Sequence, residues 1–89
     1  MVGKFARSKA GHDKDQLYII SAQDREYVYL LDGRTRTVSK PKKKKQKHIQ
    51  IILREDADIS NRLRAGAPVT DEEIKAAIRK VLSNNALGK

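Results

Sequence analysis

Hydrophobic positions in the first half of the chain fall in short runs that are typical of β-strands. The runs Gln16–Ser21 and Glu26–Leu31 are rich in β-branched and aromatic residues and are bounded by polar segments. The four residues Ala22–Arg25 separate these runs at a spacing that favours a hairpin. Lys4–Lys9 is the predicted opening strand, and Ile49–Leu53 is the predicted closing strand.

A further strand is predicted over Arg34–Ser39. Asp32–Gly33 is a turn signal in front of this segment, and Pro41 should end it because proline has no N–H for the next ladder bond. Five short strands within residues 1–54 predict a small, strongly bent barrel rather than a flat sheet. Tyr27 and Tyr29 are expected in the core of this barrel.

The second half has the pattern of two helices. Thr70–Glu73 is a capping box that begins a helix, with Val69 and Ile74 placed as a hydrophobic staple. The helix then carries an apolar stripe at positions Ile74, Ala77, Ile78, Val81 and Leu82. A shorter helix is predicted over Asp58–Ala65, ending before Gly66.

We therefore expect a mainly β fold, with a barrel over residues 1–54 and a helical extension over residues 55–89. The extension either covers the barrel or offers a surface to a partner protein.

Charge is distributed unequally between these two parts. Residues 1–54 hold 14 Lys or Arg against 5 acidic residues, which leaves +9, whereas residues 55–89 hold 6 of each and are neutral. Six lysines lie within the eight residues Lys40–Lys47, immediately before the apolar run of the closing strand. Such a dense positive segment indicates a polyanionic partner. The alternative is a solvated loop that only increases solubility.

Other residue types narrow the class of protein. The chain has no cysteine, and its N-terminal segment has no apolar run long enough for a signal peptide. No segment approaches the roughly 20 apolar residues that a membrane-spanning helix needs. His12 and His48 are far apart in sequence and do not have metal-ligand spacing. No glycine-rich phosphate loop and no nucleophile–base arrangement are present. We therefore expect a cytoplasmic protein that is not an enzyme, with no cofactor, no metal and no membrane partner.

The segment Phe5–Asp15, FARSKAGHDKD, carries a more specific signal. Its strand, its turn built on Gly11 and its basic residues around Asp13 resemble the KOW motif. Together with EYVYLLDGR and KPKKKKQKHIQ, this segment resembles the small bacterial KOW-domain RNA-binding proteins, which are related to the "fourteen-e" group of large-subunit ribosomal proteins. The resemblance extends from about Gly3 to Ile51. The family usually has Gly at position 15 and Arg at position 12, where this chain has Asp15 and His12.

This resemblance implies an SH3-like barrel that binds structured RNA, with ribosomal RNA as the expected partner. Charge by itself does not separate RNA from DNA. Backbone and shape recognition is expected, because four aromatic residues are too few for a base-stacking sheet. For Arg34 and Arg36, ion pairing with Glu26 or Asp24 is the alternative to RNA contact. The predicted RNA-binding residues are Lys9, Gly11, His12, Lys14, Arg34, Arg36, Lys40, Lys42, Lys43, Lys44, Lys45, Lys47 and His48.

A second function fits the same resemblance. KOW domains also join transcription or translation machinery as protein-interaction modules. In that case the helices and the barrel edge would bind ribosomal or transcription proteins, and the lysines would only steer association.

Overall fold

The chain folds as a five-stranded antiparallel sheet followed by two helices. The computed structural model describes residues 1–9 and 16–87. The strands are β1 Lys4–Ser8, β2 Leu17–Gln23, β3 Tyr27–Leu31, β4 Lys42–Lys45 and β5 Ile49–Glu55, and the helices are α1 Ala57–Ala65 and α2 Asp71–Leu87. The mainly β fold class with two C-terminal helices is thereby confirmed.

The strands are arranged in the order β4-β3-β2-β1-β5, and each neighbouring pair is antiparallel. Within the described residues the sheet is open, so that β4 and β5 form its two edges. The register shifts between Lys4 and Phe5 on β1, and between Ile20 and Ala22 on β2. Such bulges bend and twist strands. An open, bent sheet of this kind is compatible with the expected SH3-like fold.

Both faces of the sheet bury apolar side chains. The inner cluster comes from strands alone and comprises Ala6, Tyr18, Ile20, Val28, Leu30 and Ile49. Because no helix contributes to this cluster, the sheet must bend around it to bury it. The outer cluster joins Phe5, Leu17, Ile19 and Leu31 of the sheet to Ile59, Val69, Ile74, Ala77, Ile78 and Val81 of the helical part. The helices therefore share a core with the outer face of the sheet.

Local hydrogen bonds fix both ends of α1 and the start of α2. The N–H of Glu73 donates to the Thr70 hydroxyl at 3.2 Å, and the N–H of Thr70 donates to the Glu73 carboxylate at 3.0 Å. This reciprocal pair confirms the predicted capping box. Asp56 caps α1 by accepting from the N–H of Ile59 at 3.1 Å, and Gly66 ends α1 in the left-handed conformation.

The prediction of a strand over Arg34–Ser39 is wrong. The carboxylate of Asp32 accepts from the N–H groups of Arg34 and Arg36 at 2.8 and 2.9 Å and from the Thr35 hydroxyl at 3.2 Å. These bonds curl the backbone into a loop, because a short acidic side chain competes with the ladder for nearby N–H groups. The fourth strand lies later in the chain, in the lysine run itself.

The expectation that Tyr27 and Tyr29 are core residues is also wrong. Both side chains are half-buried, whereas Val28 and Leu30 between them are fully buried in the inner cluster. Side chains alternate along a strand, so the tyrosines occupy the outer face of β3. Leu31, on this same face, is buried with the helices. Tyr27 and Tyr29 lie further along the strand and keep part of their surface in solvent.

Candidate nucleic-acid interface

The lysine run forms the edge strand β4, and its register on β3 divides four lysines into two pairs. Lys42 lies opposite Leu30 and Lys44 opposite Val28, whereas Lys43 lies opposite Tyr29 and Lys45 opposite Tyr27. Since directly opposed residues project to the same face of a sheet, Lys42 and Lys44 belong to the inner face. Lys43 and Lys45 belong to the outer face.

The inner pair is engaged with the protein. Lys42 and Lys44 are half-buried, and the Nζ of Lys44 donates to the hydroxyl of the buried Ser8 at 2.8 Å. Their aliphatic stems lie beside Val28 and Leu30 at the edge of the inner cluster. Lysine covers apolar surface in this way while its ammonium group reaches polar partners. The inner pair therefore has a structural role in addition to its charge.

The outer pair forms an exposed surface with the two tyrosines. Lys43 and Lys45 are exposed, and the Nζ of Lys43 lies 4.4 Å from the centre of the Tyr27 ring. This distance is within the range of a cation–π interaction, which restrains the ammonium group above the ring. We call the surface formed by Tyr27, Tyr29, Lys43 and Lys45 the Tyr–Lys face. It combines positive charge with partly accessible aromatic rings.

Further predicted residues meet at the end of β1. The N–H of Lys9 donates to the carbonyl of His48 at 2.8 Å, so the two residues are adjacent in space. Lys47 and His48 belong to the short 3-10 turn Gln46–His48. The side chains of Lys9, Lys47 and His48 are exposed. Gln46 fixes this turn to the β2–β3 hairpin, since its side-chain amide donates to the carbonyl of Asp24 at 3.0 Å. Lys9, Lys47 and His48 therefore form a second basic area.

Arg34 and Arg36 are exposed in the loop between β3 and β4. Among the described residues, no ion pair joins either of them to Glu26 or Asp24, so the alternative of cross-strand pairing has no support there. Burial would raise the pKa of Asp32, but hydrogen bonds from the N–H groups of Arg34 and Arg36 lower it below its ordinary value. The carboxylate therefore stays ionised and fixes the loop. Lys40 is exposed at the end of this loop, where its backbone N–H donates to the carbonyl of Thr37 at 3.0 Å.

The structure adds two cations that the sequence reasoning missed. Lys75 and Arg79 of α2 line a cleft of about 410 Å³ together with Arg34, above the apolar residues Leu17, Ile78 and Leu82. We call this site the basic cleft. The signal in the sequence was the spacing of Lys75 and Arg79 at i and i+4, which places both on one side of a helix. The expected apolar stripe of α2 also changes, because Leu82 is 48% exposed.

Other predicted residues lie outside the described part of the chain. Gly11, His12 and Lys14, together with the Asp13 and Asp15 of the KOW-like turn, belong to residues 10–15. Their assignment to RNA binding stays a prediction from the sequence. Within residues 1–9 and 16–87, no group of His, Cys, Asp or Glu side chains is arranged to hold a metal ion. In the same part of the chain, no helix has the length and apolar character needed to cross a membrane.

Comparisons with known proteins do not add an identification. The chain matches no protein-family model and no curated protein sequence. The similarity to KOW-domain proteins therefore stays a resemblance carried by the quoted motifs.

Proposed function

We propose that this protein binds structured RNA without catalysing a reaction, and that its partner is ribosomal RNA. The observation that carries the proposal is the Tyr–Lys face. Its two exposed ammonium groups and two aromatic rings project from neighbouring strands to the same side of the sheet. The resemblance to KOW-domain RNA-binding proteins supports RNA as the polyanion. A cytoplasmic location follows from this proposal.

Lysine and tyrosine would make different contributions to binding. Ammonium groups contact phosphates as point charges and do not read sequence. Aromatic faces can stack on an unpaired base, a contact that tolerates any base. Tyr27 and Tyr29 therefore add limited base contact to a surface that acts mainly on the backbone. Lys9, Lys47, His48 and the loop arginines would extend the phosphate contacts beyond the sheet.

The predicted affinity depends strongly on salt. If about five phosphates are neutralised, the slope of log K against log salt is roughly −3 to −4 on the scaling for single strands. Each lost phosphate contact should reduce the size of this slope by about one unit or less. Fluorescence anisotropy with a labelled RNA stem–loop, titrated at several NaCl concentrations, measures the slope directly.

Two double variants of β4 test the role of the outer pair. Lys43→Gln with Lys45→Gln removes the exposed ammonium groups, and Lys42→Gln with Lys44→Gln removes the same charge from the inner face. The outer variant should reduce the size of the slope by about one to two units. The inner variant should reduce it less and should lower the free energy of unfolding more, since Lys44 donates to Ser8. A slope unchanged after replacing all four lysines would exclude this strand as the RNA-binding element.

Sedimentation of cell lysate on sucrose gradients tests the identity of the partner. Migration with large-subunit particles at low salt, with release at high salt, is the expected result. Migration at the top of the gradient in both salts would remove the ribosome from the proposal.

A protein-interaction module is the second candidate function. The observation that favours it is Leu53 of the edge strand β5, which is 89% exposed. An edge strand presents unpaired backbone N–H and C=O groups to a strand of another protein, and an exposed apolar side chain there can pack against that partner. Leu53→Lys would remove the apolar packing, place a charge on the edge strand and weaken that contact, and would leave RNA affinity unchanged or slightly higher. Co-sedimentation with polymerase rather than ribosomal particles would favour this function.

A further inference from the structure

The basic cleft lies between the loop after β3 and the helix α2, on the side of the sheet that carries the Tyr–Lys face. Its lining includes the cations Arg34, Lys75 and Arg79, which we call its rim, and the apolar residues Leu17, Ile78 and Leu82, which we call its floor. The volume of about 410 Å³ is at the lower end of the range for sites that bind small ligands. Asp32 follows directly after β3 and is three residues from Tyr29, a separation of at most about 10 Å. The cleft and the Tyr–Lys face are therefore close along the same strand.

The rim of the cleft is held in place before any ligand binds. Gly33 contacts α2 so closely that an added Cβ would lie 2.5 Å from the carbonyl oxygen of Asp71. The N–H of Val38 donates to the Asp71 carboxylate at 2.8 Å, which attaches the far side of the loop to the same helix. Asp32 fixes the backbone of Arg34 from inside the loop. The position of the Arg34 backbone over α2 thus results from several independent contacts.

The charged residues that line the cleft leave it net positive, which suits an anion. Three cations form the rim, whereas Asp32 lies in the lining and Glu72 pairs with Lys75 at 2.7 Å. The lining thus carries three positive charges against one negative charge, and the pairing of Lys75 with Glu72 offsets one more positive charge. The oxygens of Asp32 already accept hydrogen bonds within the loop, so they are occupied away from a ligand. Among the described residues, neither Arg34 nor Arg79 forms an ion pair within 4 Å, although the charge of Arg79 contributes to lowering the pKa of Glu72.

The apolar lining of the cleft suits a ligand with an apolar part. Leu82 is 48% exposed and lines the cleft together with the buried Leu17 and Ile78, so it offers apolar surface to a ligand. A nucleotide unit of RNA has both required parts, because it joins one phosphodiester charge to a planar base. Two arginines are suited to the phosphate, since a guanidinium group donates two parallel hydrogen bonds to it.

We propose that the basic cleft binds a single unpaired nucleotide of the RNA. The phosphate lies among Arg34, Lys75 and Arg79, and the base lies on Leu82 and Ile78. This inference rests on the proposed function and adds to it the selection of unpaired nucleotides next to a structured region. A helix that the sequence marks as neutral thereby becomes part of the RNA-binding surface.

Two neighbouring residues of α2 provide a matched test. Arg79 lines the cleft, whereas Lys80 is exposed outside it, and Arg79→Gln and Lys80→Gln remove the same charge from adjacent positions. The probes are a labelled RNA stem–loop and a fully paired RNA duplex of equal phosphate number. Arg79→Gln should weaken stem–loop binding by about three- to tenfold and leave duplex binding close to that of Lys80→Gln. Leu82→Ser should weaken stem–loop binding at an unchanged salt slope.

The outcomes separate this inference from the proposed function. Equal affinities of the Arg79 and Lys80 variants for both probes would overturn the cleft, and the β4 variants would still report whether RNA is bound at all. A stem–loop with 4-thiouridine in its loop should crosslink to the α2 segment 75–82. Crosslinks confined to β3 and β4 would contradict the proposal. Binding of polyglutamate that is lost in Arg79→Gln, without any effect of this variant on RNA, would assign the cleft to an acidic peptide instead.

Discussion

Replacing Gly33 with alanine tests the contact that holds the loop against α2. Gly33 has a φ of 79°, in the left-handed region that L-residues rarely adopt. A Cβ at this position would lie 2.5 Å from the Asp71 carbonyl oxygen, 2.7 Å from Cγ of Lys75 and 3.1 Å from the Lys75 nitrogen. The Lys75 side chain can move aside, but the backbone of α2 cannot without disturbing the capping box at Thr70. The loop or the helix must therefore shift.

Two costs contribute to the expected loss of stability. The left-handed conformation costs an alanine about 1 kcal/mol relative to glycine. Inserting a methyl group into a filled contact typically costs about 1–3 kcal/mol more. Gly33→Ala should thus lower the free energy of unfolding by about 2–4 kcal/mol. Gly66→Ala is the matched control, because Gly66 has a φ of 73° but its added Cβ would meet no described atom within 4 Å. Only the conformational cost of about 1 kcal/mol is expected there.

Urea unfolding of the two variants at 25 °C measures the difference. For a domain of this size, 1 kcal/mol corresponds to about 4–8 °C in Tm, so thermal unfolding gives an independent value. Equal losses in the two variants would refute the close packing of the loop on α2. The basic cleft would then lose its preformed rim. A larger loss for Gly33→Ala, accompanied by weaker stem–loop binding, would connect this packing to the RNA site.

Two further predictions concern the helices. Hydrogen bonds from Arg62 lower the pKa of Glu73 from its ordinary 4.5 to about 2, so this carboxylate stabilises the fold above pH 4.5 and progressively less as the pH falls towards 2. Urea unfolding across this range should show a smaller decline for Glu73→Gln than for the native chain, and parallel declines would contradict the Arg62–Glu73 pair. Asp56→Ala removes the cap that accepts from the N–H of Ile59, and should lower the free energy of unfolding by about 1 kcal/mol. Asp58→Ala removes an exposed partner of Arg62 and should lower the free energy of unfolding by less. An equal or larger loss in Asp58→Ala would contradict the capping role of Asp56.

Features that depend on local chemistry were predictable from the sequence. The capping box at Thr70–Glu73 and the stop at Gly66 need only residues a few positions apart, and both are present in the structure. The runs that became β2 and β3 were evident because β-branched and aromatic residues favour half-buried strands. Separation of the positive charge from the neutral helical part is a property of the sequence itself.

Features that depend on pairing between distant segments were decided by the tertiary structure. Four consecutive lysines have no intrinsic preference for a strand, yet they pair with β3, which brings Lys42 and Lys44 to the edge of the inner cluster. That pairing determines which lysines project outwards and places Tyr27 beside Lys43.

The basic cleft depends in the same way on distant parts of the chain. Arg34 meets Lys75 and Arg79 only when α2 packs on the outer face of the sheet. The sequence by itself thus determined the two helices, four of the five strands and the overall charge of this protein. Only the tertiary structure decided which charges share a surface, because that depends on the register of distant segments and on the burial it allows.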